Sequence, residues 1–304
     1  MQNQNTIQCP LCGSQASQDH QVPEPYLRCT DRLISGEAFN LYRCPDCGMV
    51  FTADPPAESE MRNYDRFRQK IRLYEKQETL TGWLHYRIKI YMLKRKAEFV
   101  RKVSYRNTGS LLNYGAETGF FSAAMEKRGW KVTSVEKYHE QRVFSLEMFH
   151  HRMIDETDME QLRPDTFDVI TMWHVFEHQY HPHELLDRFY ELLKPSGVLI
   201  IACPNIDSKD ARHYGAEWAA YNVPRHLMHF NPTTLNRMAS AHGFVMMEHR
   251  PMPFDSFYIS ILSERNKGHR LAFIRGMWYG VRCWLKSVVH RKYGSSMVYA
   301  FRKK

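Results

Sequence analysis

From Asn107 onward the chain alternates short apolar runs with amphipathic stretches, and this alternation limits the fold more than any other feature. "GSLLNYG", "WKVTSVE", "FDVITMW" and "VLIIACPN" have strand length and apolar character. Between them, "FFSAAMEKRG", "EQRVFSLEMF" and "HELLDRFYELLKPSG" place apolar residues at i, i+3 and i+4, with stop signals at Gly129 and at Pro195 and Gly197. Strands apolar on both faces, separated by helices, require cover on each side, which predicts a doubly wound, mostly parallel α/β sheet. "SSMVYAFRKK" is expected to close that sheet as a final strand. In such sheets ligands bind beyond the carboxyl ends of the strands. The places to look are Gly115 to Gly119, Glu136, the stretch around Asp158, Trp173 to His178, and Pro204 with Asn205.

The first fifth of the chain follows a different logic. "CPLCG" and "CPDCG" repeat one device, Cys-x-x-Cys-Gly, with 31 residues between Cys12 and Cys44. Two residues between thiols let both sulfurs of a turn face one ion, and the glycine supplies the backbone angle that closes the turn. Cys9, Cys12, Cys44 and Cys47 together make a closed tetrahedral thiolate shell suited to structural Zn²⁺, and the strand-like "AFNLYRC" completes a zinc ribbon. Cys29 reads as a small packing residue.

Between these regions, Met61 to Lys102 reads as a basic helix with apolar residues at Leu84, Ile88, Tyr91, Met92, Ala97 and Phe99. It is either a solvated connector or a cap over the ligand cleft. The expected organisation is a ribbon over 1–54, a helical connector or cap over 55–106, and an α/β domain over 107–304 with a basic helical insertion at about 266–293. No apolar run reaches the roughly 18 residues of a membrane span, and "MQNQNTIQCP" lacks the pattern of a signal peptide, so a cytoplasmic protein is expected. Net charge is +9, and no acidic residue occurs from Asn266 to Lys304. There Ile274, Trp278, Val281, Leu285 and Val288 form a helical stripe flanked by Arg275, Arg282, Lys286 and Arg291. Such a stripe either packs on the protein or makes weak peripheral contact with an anionic membrane.

Taken in order, these segments resemble the class I S-adenosylmethionine-dependent methyltransferases, whose sheet is Rossmann-like. The family's first motif, roughly Leu-Asp-x-Gly-x-Gly-x-Gly, corresponds here to Leu112, Asn113, Tyr114, Gly115, Ala116, Glu117, Thr118 and Gly119. "WHVFEHQYHPHELLDRFYELLKPSGVLIIACPN" is similar to the family's strand–helix–strand block. "EWAAYNVPRHLMHFNPTTLNRMASAHGF" and "YRCPDCGMVFTADPP" resemble blocks of a zinc-ribbon subset that includes sugar C-methyltransferases. The resemblance implies S-adenosylmethionine as cofactor, with Gly115, Ala116, Glu117 and Gly119 near its methionine part. It also implies Glu136 on the ribose hydroxyls, Asp158 and Met159 at the adenine, and Trp173 or His174 near the methyl group.

Two positions depart from the motif. Asn113 lacks the charge that would attract the cofactor's ammonium, and Glu117 replaces a glycine near its carboxylate. Either Glu117 repels the cofactor or it takes over the ammonium contact. For the base that removes the acceptor's proton the candidates are His174, His178, His226 and His229, with Tyr221 a further catalytic candidate in the His226 loop; Arg225, in the same loop, is expected to hold a substrate phosphate or carboxylate. The implied function is methyl transfer to a small-molecule or glycan-precursor acceptor, phosphorylated or lipid-linked. The alternatives are an RNA methyltransferase, with nucleic acid the weaker partner, and a non-catalytic binding protein in which Glu117 has disabled the loop.

Overall fold

The computed structural model describes residues 7–15, 24–64, 80–252 and 254–304, and the side chains of 80–85 lie outside that description. Four parallel strands form one half of the main sheet: β4 (Ser110–Tyr114), β5 (Lys131–Val135), β6 (Phe167–Trp173) and β7 (Leu193–Pro204). The other half is antiparallel and comprises β9 (Phe244–Pro251) and β10 (Ser296–Lys303), giving the order β5-β4-β6-β7-β10-β9. The last strand therefore does not close the sheet at its edge. It inserts between β7 and β9, and β9 is the edge.

Strand periodicity divides the core. Leu111, Val169 and Ile200 face one side, with Phe99, Val100 and Val103 of α1 (Leu80–Ser104) and Phe121 and Met125 of α2 (Phe120–Glu126). Leu112, Ile170, Leu199 and Ile201 face the other, with Leu185, Leu186 and Phe189 of α4 (Pro182–Leu192). The helix α3 (His139–Phe149) follows β5. Every residue of β6 is buried, as a two-faced apolar strand requires. The helix expected from Met61 to Lys102 is observed as a 3-10 turn at Met61–Tyr64 and as α1; its part over 65–79 and the Leu84 side chain lie outside the described residues. Of its expected apolar stripe, Ala97 and Phe99 are buried, whereas Ile88 and Tyr91 are exposed.

The N-terminal strands β1 (Leu27–Thr30), β2 (Ala38–Arg43) and β3 (Val50–Thr52) form an antiparallel sheet whose fourth strand, β8 (Met228–His229), comes from the far end of the chain. Val50 pairs with His229 and Phe51 with Met228. Cys9, Leu11, Tyr42, Met49 and Phe51 also join the core cluster beneath the main sheet. The ribbon is thus fused to the α/β unit by a strand and by shared apolar surface. Arg225, expected to hold a substrate anion, instead clamps this junction: its guanidinium donates to Asp31 Oδ1 at 2.8 Å, Tyr64 O at 2.8 Å, Asn222 Oδ1 at 2.8 Å and Val223 O at 3.0 Å.

Beyond the short α5 (Lys209–Tyr214), α6 (Pro232–Ala241) starts on a capping box between Asn231 and Thr234, with Pro232 in its first turn. The insertion between β9 and β10 begins earlier than expected, as a hairpin of α7 (Asp255–Asn266) and α8 (Ala272–Val289). Its buried face is made of small residues, Ala272, Gly276, Gly280, Cys283 and Ser287. A Cβ on Gly276 would clash with the Ile261 Cα, and one on Gly280 would lie 2.8 Å from the Phe257 Cα, so the two backbones touch.

Candidate functional site

The β4–α2 turn and α1 enclose a cleft of about 220 Å³. Gly115, Ala116, Glu117 and Thr118 form one wall, Lys89, Met92, Leu93 and Lys96 the other, and Asn113, Phe120, Phe121 and Trp173 also line it. Gly115 (φ +67) and Gly119 (φ +81) are obligatory: a Cβ would meet Val175 Cγ2 at 2.5 Å in the first case and Ser145 Oγ in the second. Glu117 stands in the glycine position with the glycine conformation, φ +48, and its side chain is exposed. Its backbone N–H donates to Glu136 Oε2 at 2.7 Å, and Tyr138 N–H donates to Glu136 Oε1 at 3.0 Å. The carboxylate at the end of β5 therefore braces the turn, and Glu136 is outside the residues that line the cleft.

Asn113 is buried and committed to the interior. It donates to Ser122 Oγ at 2.9 Å and accepts from Thr171 Oγ1 at 3.0 Å. The network continues through Ser134 to His151, which meets Ser134 Oγ at 2.8 Å and Glu126 Oε1 at 2.8 Å. The aspartate-to-asparagine departure thus suits a buried polar chain better than a solvated charge.

The charges facing the cleft come largely from residues the sequence did not single out. Burial pushes Lys89 down to about 7 while Glu117 pulls it back up. Burial also lowers Lys96, against Asp255 and Glu117, and its ammonium sits 4.5 Å from the Trp173 ring centroid. The available signal was that positions 89 and 96 are seven apart on one helix, flanking Met92 and Leu93 on the same side. Asp158 and Met159 do not line the cleft. Asp158 accepts from Gln161 Nε2 at 3.3 Å within the 3-10 turn Glu156–Gln161, and Met159 packs on the core.

Past Trp173 the chain enters a second cluster. His174 adopts φ +60, with Nδ1 3.5 Å from Glu177 Oε1 and Nε2 3.3 Å from Asp255 Oδ2. Burial opposes its protonation, but these two carboxylates prevail and raise it to about 9. Asp255 carries no sequence signal, because it reaches the cluster from the start of α7. His178 Nδ1 meets Arg225 O at 2.8 Å, His226 Nδ1 meets Ala220 O at 2.9 Å, and the two rings pack edge to face, centroids 4.6 Å apart. Burial, with His178 and His229 nearby, pushes His226 well below the ordinary imidazole value, and burial takes His229 down to about 3. The Thr52 hydroxyl donates to His226 O at 2.7 Å, so His229 Nε2–H donates to Thr52 Oγ1 at 3.1 Å. Tyr221 is not part of this cluster in a chemical sense: it is buried against Trp218 and His229, and burial raises its phenol far above the usual value. It is a packing residue.

At the N-terminus the two Cys-x-x-Cys-Gly turns are superposable in their hydrogen bonds. Gly13 N donates to Cys9 O and Gly48 N to Cys44 O, each at 2.9 Å, with φ +70 and +74. Cys9 Sγ lies 3.5 Å from Cys47 Sγ and Cys12 Sγ 3.6 Å from Cys44 Sγ, and all four sulfurs fall within 4.8 Å of one another. Tetrahedral Zn–S bonds of about 2.3 Å require S···S edges of about 3.8 Å. The cluster is compatible with a zinc ribbon.

Comparison with known proteins agrees with this geometry. Residues 52–249 match the family described as "Methyltransferase domain". A ubiquinone biosynthesis O-methyltransferase of Hydrogenovibrio crunogenus is 24% identical over 216 residues, covering 67% of this chain and 85% of that protein. Its counterpart in Aeromonas salmonicida is 28% identical over 152 residues, covering 45% of this chain and 63% of the relative's length. Among solved structures, the Burkholderia thailandensis 1,6-didemethyltoxoflavin-N1-methyltransferase superposes with TM-score 0.50 at 16% identity, over 86% of this chain and 98% of that one. That likeness speaks for the fold. Because the family match spans well over half of its length, the chain belongs to the methyltransferase-domain family, as a class I S-adenosylmethionine-dependent methyltransferase.

Proposed function

We propose that the protein methylates a small-molecule acceptor, and that the cleft between α1 and the β4–α2 turn holds the amino-acid end of S-adenosylmethionine. The observation that carries this reading is the charge pattern of the cleft: two ammonium groups, Lys89 and Lys96, opposite one carboxylate, Glu117. An amino-acid zwitterion presents the complementary pair. Lys89 and Lys96 would take its carboxylate, and Glu117 would take its ammonium in place of the acid missing at position 113. The cofactor supplies an electrophilic methyl group. Glu136 keeps the turn in shape, Trp173 walls the cleft, and the histidine cluster begins at the next residue. There His178 and His226, each held at Nδ1, mark where the acceptor is proposed to sit.

Calorimetry of the full-length protein with S-adenosylmethionine and S-adenosylhomocysteine tests this. Binding of both is expected, and Glu117→Gly is expected to weaken it by about threefold, the effect of roughly 0.7 kcal/mol from one solvent-facing ion pair. Unchanged or tighter binding in the variant would return Glu117 to the role of an obstacle.

The four cysteines are proposed to hold a structural zinc ion, since a closed thiolate shell leaves no position for a substrate. The acceptor is proposed to be lipid-linked or otherwise presented at an anionic membrane surface, because α8 is inside out. Small residues face the protein, while Ile274, Trp278 and Val288 are 63%, 61% and 62% exposed, with Phe273 and Leu285 beside them. Arg282 lies over Trp278 on that face, 4.7 Å from the ring centroid, in a stretch from Asn266 to Lys304 with no acidic residue. No helix of the described residues is long and apolar enough to cross a membrane. Sedimentation with vesicles rich in anionic lipid is expected to carry the protein down, and Trp278→Ser with Leu285→Ser to release it. Failure to sediment, with a dimer in solution instead, would assign the face to a second copy.

A further inference from the structure

We infer that Glu177, His178 and His226 form a binding site for a divalent first-row transition ion, distinct from the four-cysteine cluster. One ligand atom from each of the three residues lies within 4.8 Å of the others. Three features beyond proximity point to an ion.

The first is the state of the imidazoles. A backbone carbonyl can only accept, so His178 donates Nδ1–H to Arg225 O and His226 donates Nδ1–H to Ala220 O. A ring held in this way carries, when uncharged, its lone pair on Nε2. That is how metal-ligating histidines are oriented, the outer N–H fixed by a carbonyl and the inner nitrogen left basic. The second is Glu177. Its side chain is 1% exposed, and neither carboxylate oxygen has a hydrogen-bond partner among the described residues. Its nearest partners are His174 Nδ1 at 3.5 Å and His226 Nε2 at 4.0 Å. A buried carboxylate without hydrogen bonds is costly, and an ion coordinated by it removes that cost. His174 approaches Oε1 and leaves Oε2 unexplained.

The third is that the site is prebuilt. Glu177 and His178 sit on the 3-10 turn Phe176–His178, tied to the His226 loop by Leu227 N donating to Glu177 O at 2.8 Å and by stacking of Phe176 on Phe230 at 5.4 Å. That loop is held in turn by Arg225 on Asp31 and by Thr52 on His226 O. The ribbon thus buttresses residues 49 positions apart (226 − 177). Bonds of about 2.0–2.2 Å to nitrogen and oxygen need ligand atoms about 3.3–3.6 Å apart. The present 4.0 Å between His226 Nε2 and Glu177 Oε1 closes with a small rotation of the carboxylate. Two imidazoles and one carboxylate leave coordination positions open, unlike the four thiolates, and His178 is only half-buried. Those positions suit one or two oxygen atoms of an acceptor with vicinal hydroxyls. That use rests on the methyl-transfer reading; the ion site itself does not.

Full-length protein, its thiolates loaded with zinc, is dialysed and titrated with cobalt(II) while absorbance is recorded. The expected result is uptake of one cobalt equivalent with weak ligand-field bands and no thiolate-to-cobalt charge-transfer band. Glu177→Gln and His226→Asn are expected to abolish that uptake and to keep their zinc, which certifies the ribbon in each variant. Absence of cobalt uptake by the wild-type protein, charge-transfer bands that place the ion on cysteine, or undiminished uptake by both variants would overturn the proposal. Calorimetry with S-adenosylmethionine on the same samples separates this outcome from a failure of the methyltransferase reading.

Discussion

Glu117 illustrates how a single residue can contradict a motif and still obey its geometry. A non-glycine residue in the left-handed region pays about 1–2 kcal/mol, and the turn meets that cost with the 2.7 Å bond from its N–H to Glu136. The opposite wall yields a prediction in pH. Burial depresses Lys89 to about 7, with Glu117 opposing. If its ammonium holds the cofactor's carboxylate, binding raises the bound-state value above the unbound one. Affinity is then full below pH 7 and falls as pH rises, by up to about tenfold per unit, until the bound-state value is reached. Calorimetry from pH 6 to 9 should trace that slope, and Lys89→Met should flatten it. An equal slope in the variant would place the titrating group elsewhere.

At the scale of elements, one buried ion pair clamps the junction of β3 with β8 beside its strand pairing. Burial alone would raise Asp31, but hydrogen bonds from Arg225 and from the Ser35 and Leu33 amides outweigh it and hold the carboxyl below its usual range. The folded value is depressed, so the stabilisation is fully present above the unfolded value of about 3.9 and is lost as pH falls through the folded value. Asp31→Asn removes one partner of a buried pair, and a loss of about 3 kcal/mol in denaturant unfolding is expected near neutral pH. The difference from wild type should shrink as the solution is acidified below pH 4. A pH-independent difference would mean that packing rather than charge is at stake.

For the whole molecule, ribbon and α/β unit should unfold together. Cys29, Leu41 and Val50 of the ribbon share a core cluster with Trp218, Tyr221 and Ile259. Stripping the proposed zinc with a chelator is therefore expected to lower the melting temperature of one common calorimetric transition and to red-shift Trp218 emission, judged against Trp218→Phe. Two transitions, the later one indifferent to chelator, would show a tethered ribbon instead. The two-faced burial of β6, the paired cysteines and the Gly115 and Gly119 turn were legible because each is decided by residues close in sequence, through backbone geometry. Other features were not. Tertiary packing alone inserted β10 inside the sheet, turned the α8 stripe outward because Gly276 and Gly280 bring two backbones into contact, and committed Arg225 to Asp31. It also set Lys89 and Lys96 opposite Glu117 and brought His226 to Glu177. These contacts join positions far apart along the chain, and no local periodicity encodes which of many compatible surfaces will meet. That choice belongs to the shared core, where burying both sheet faces and the ribbon together admits few arrangements.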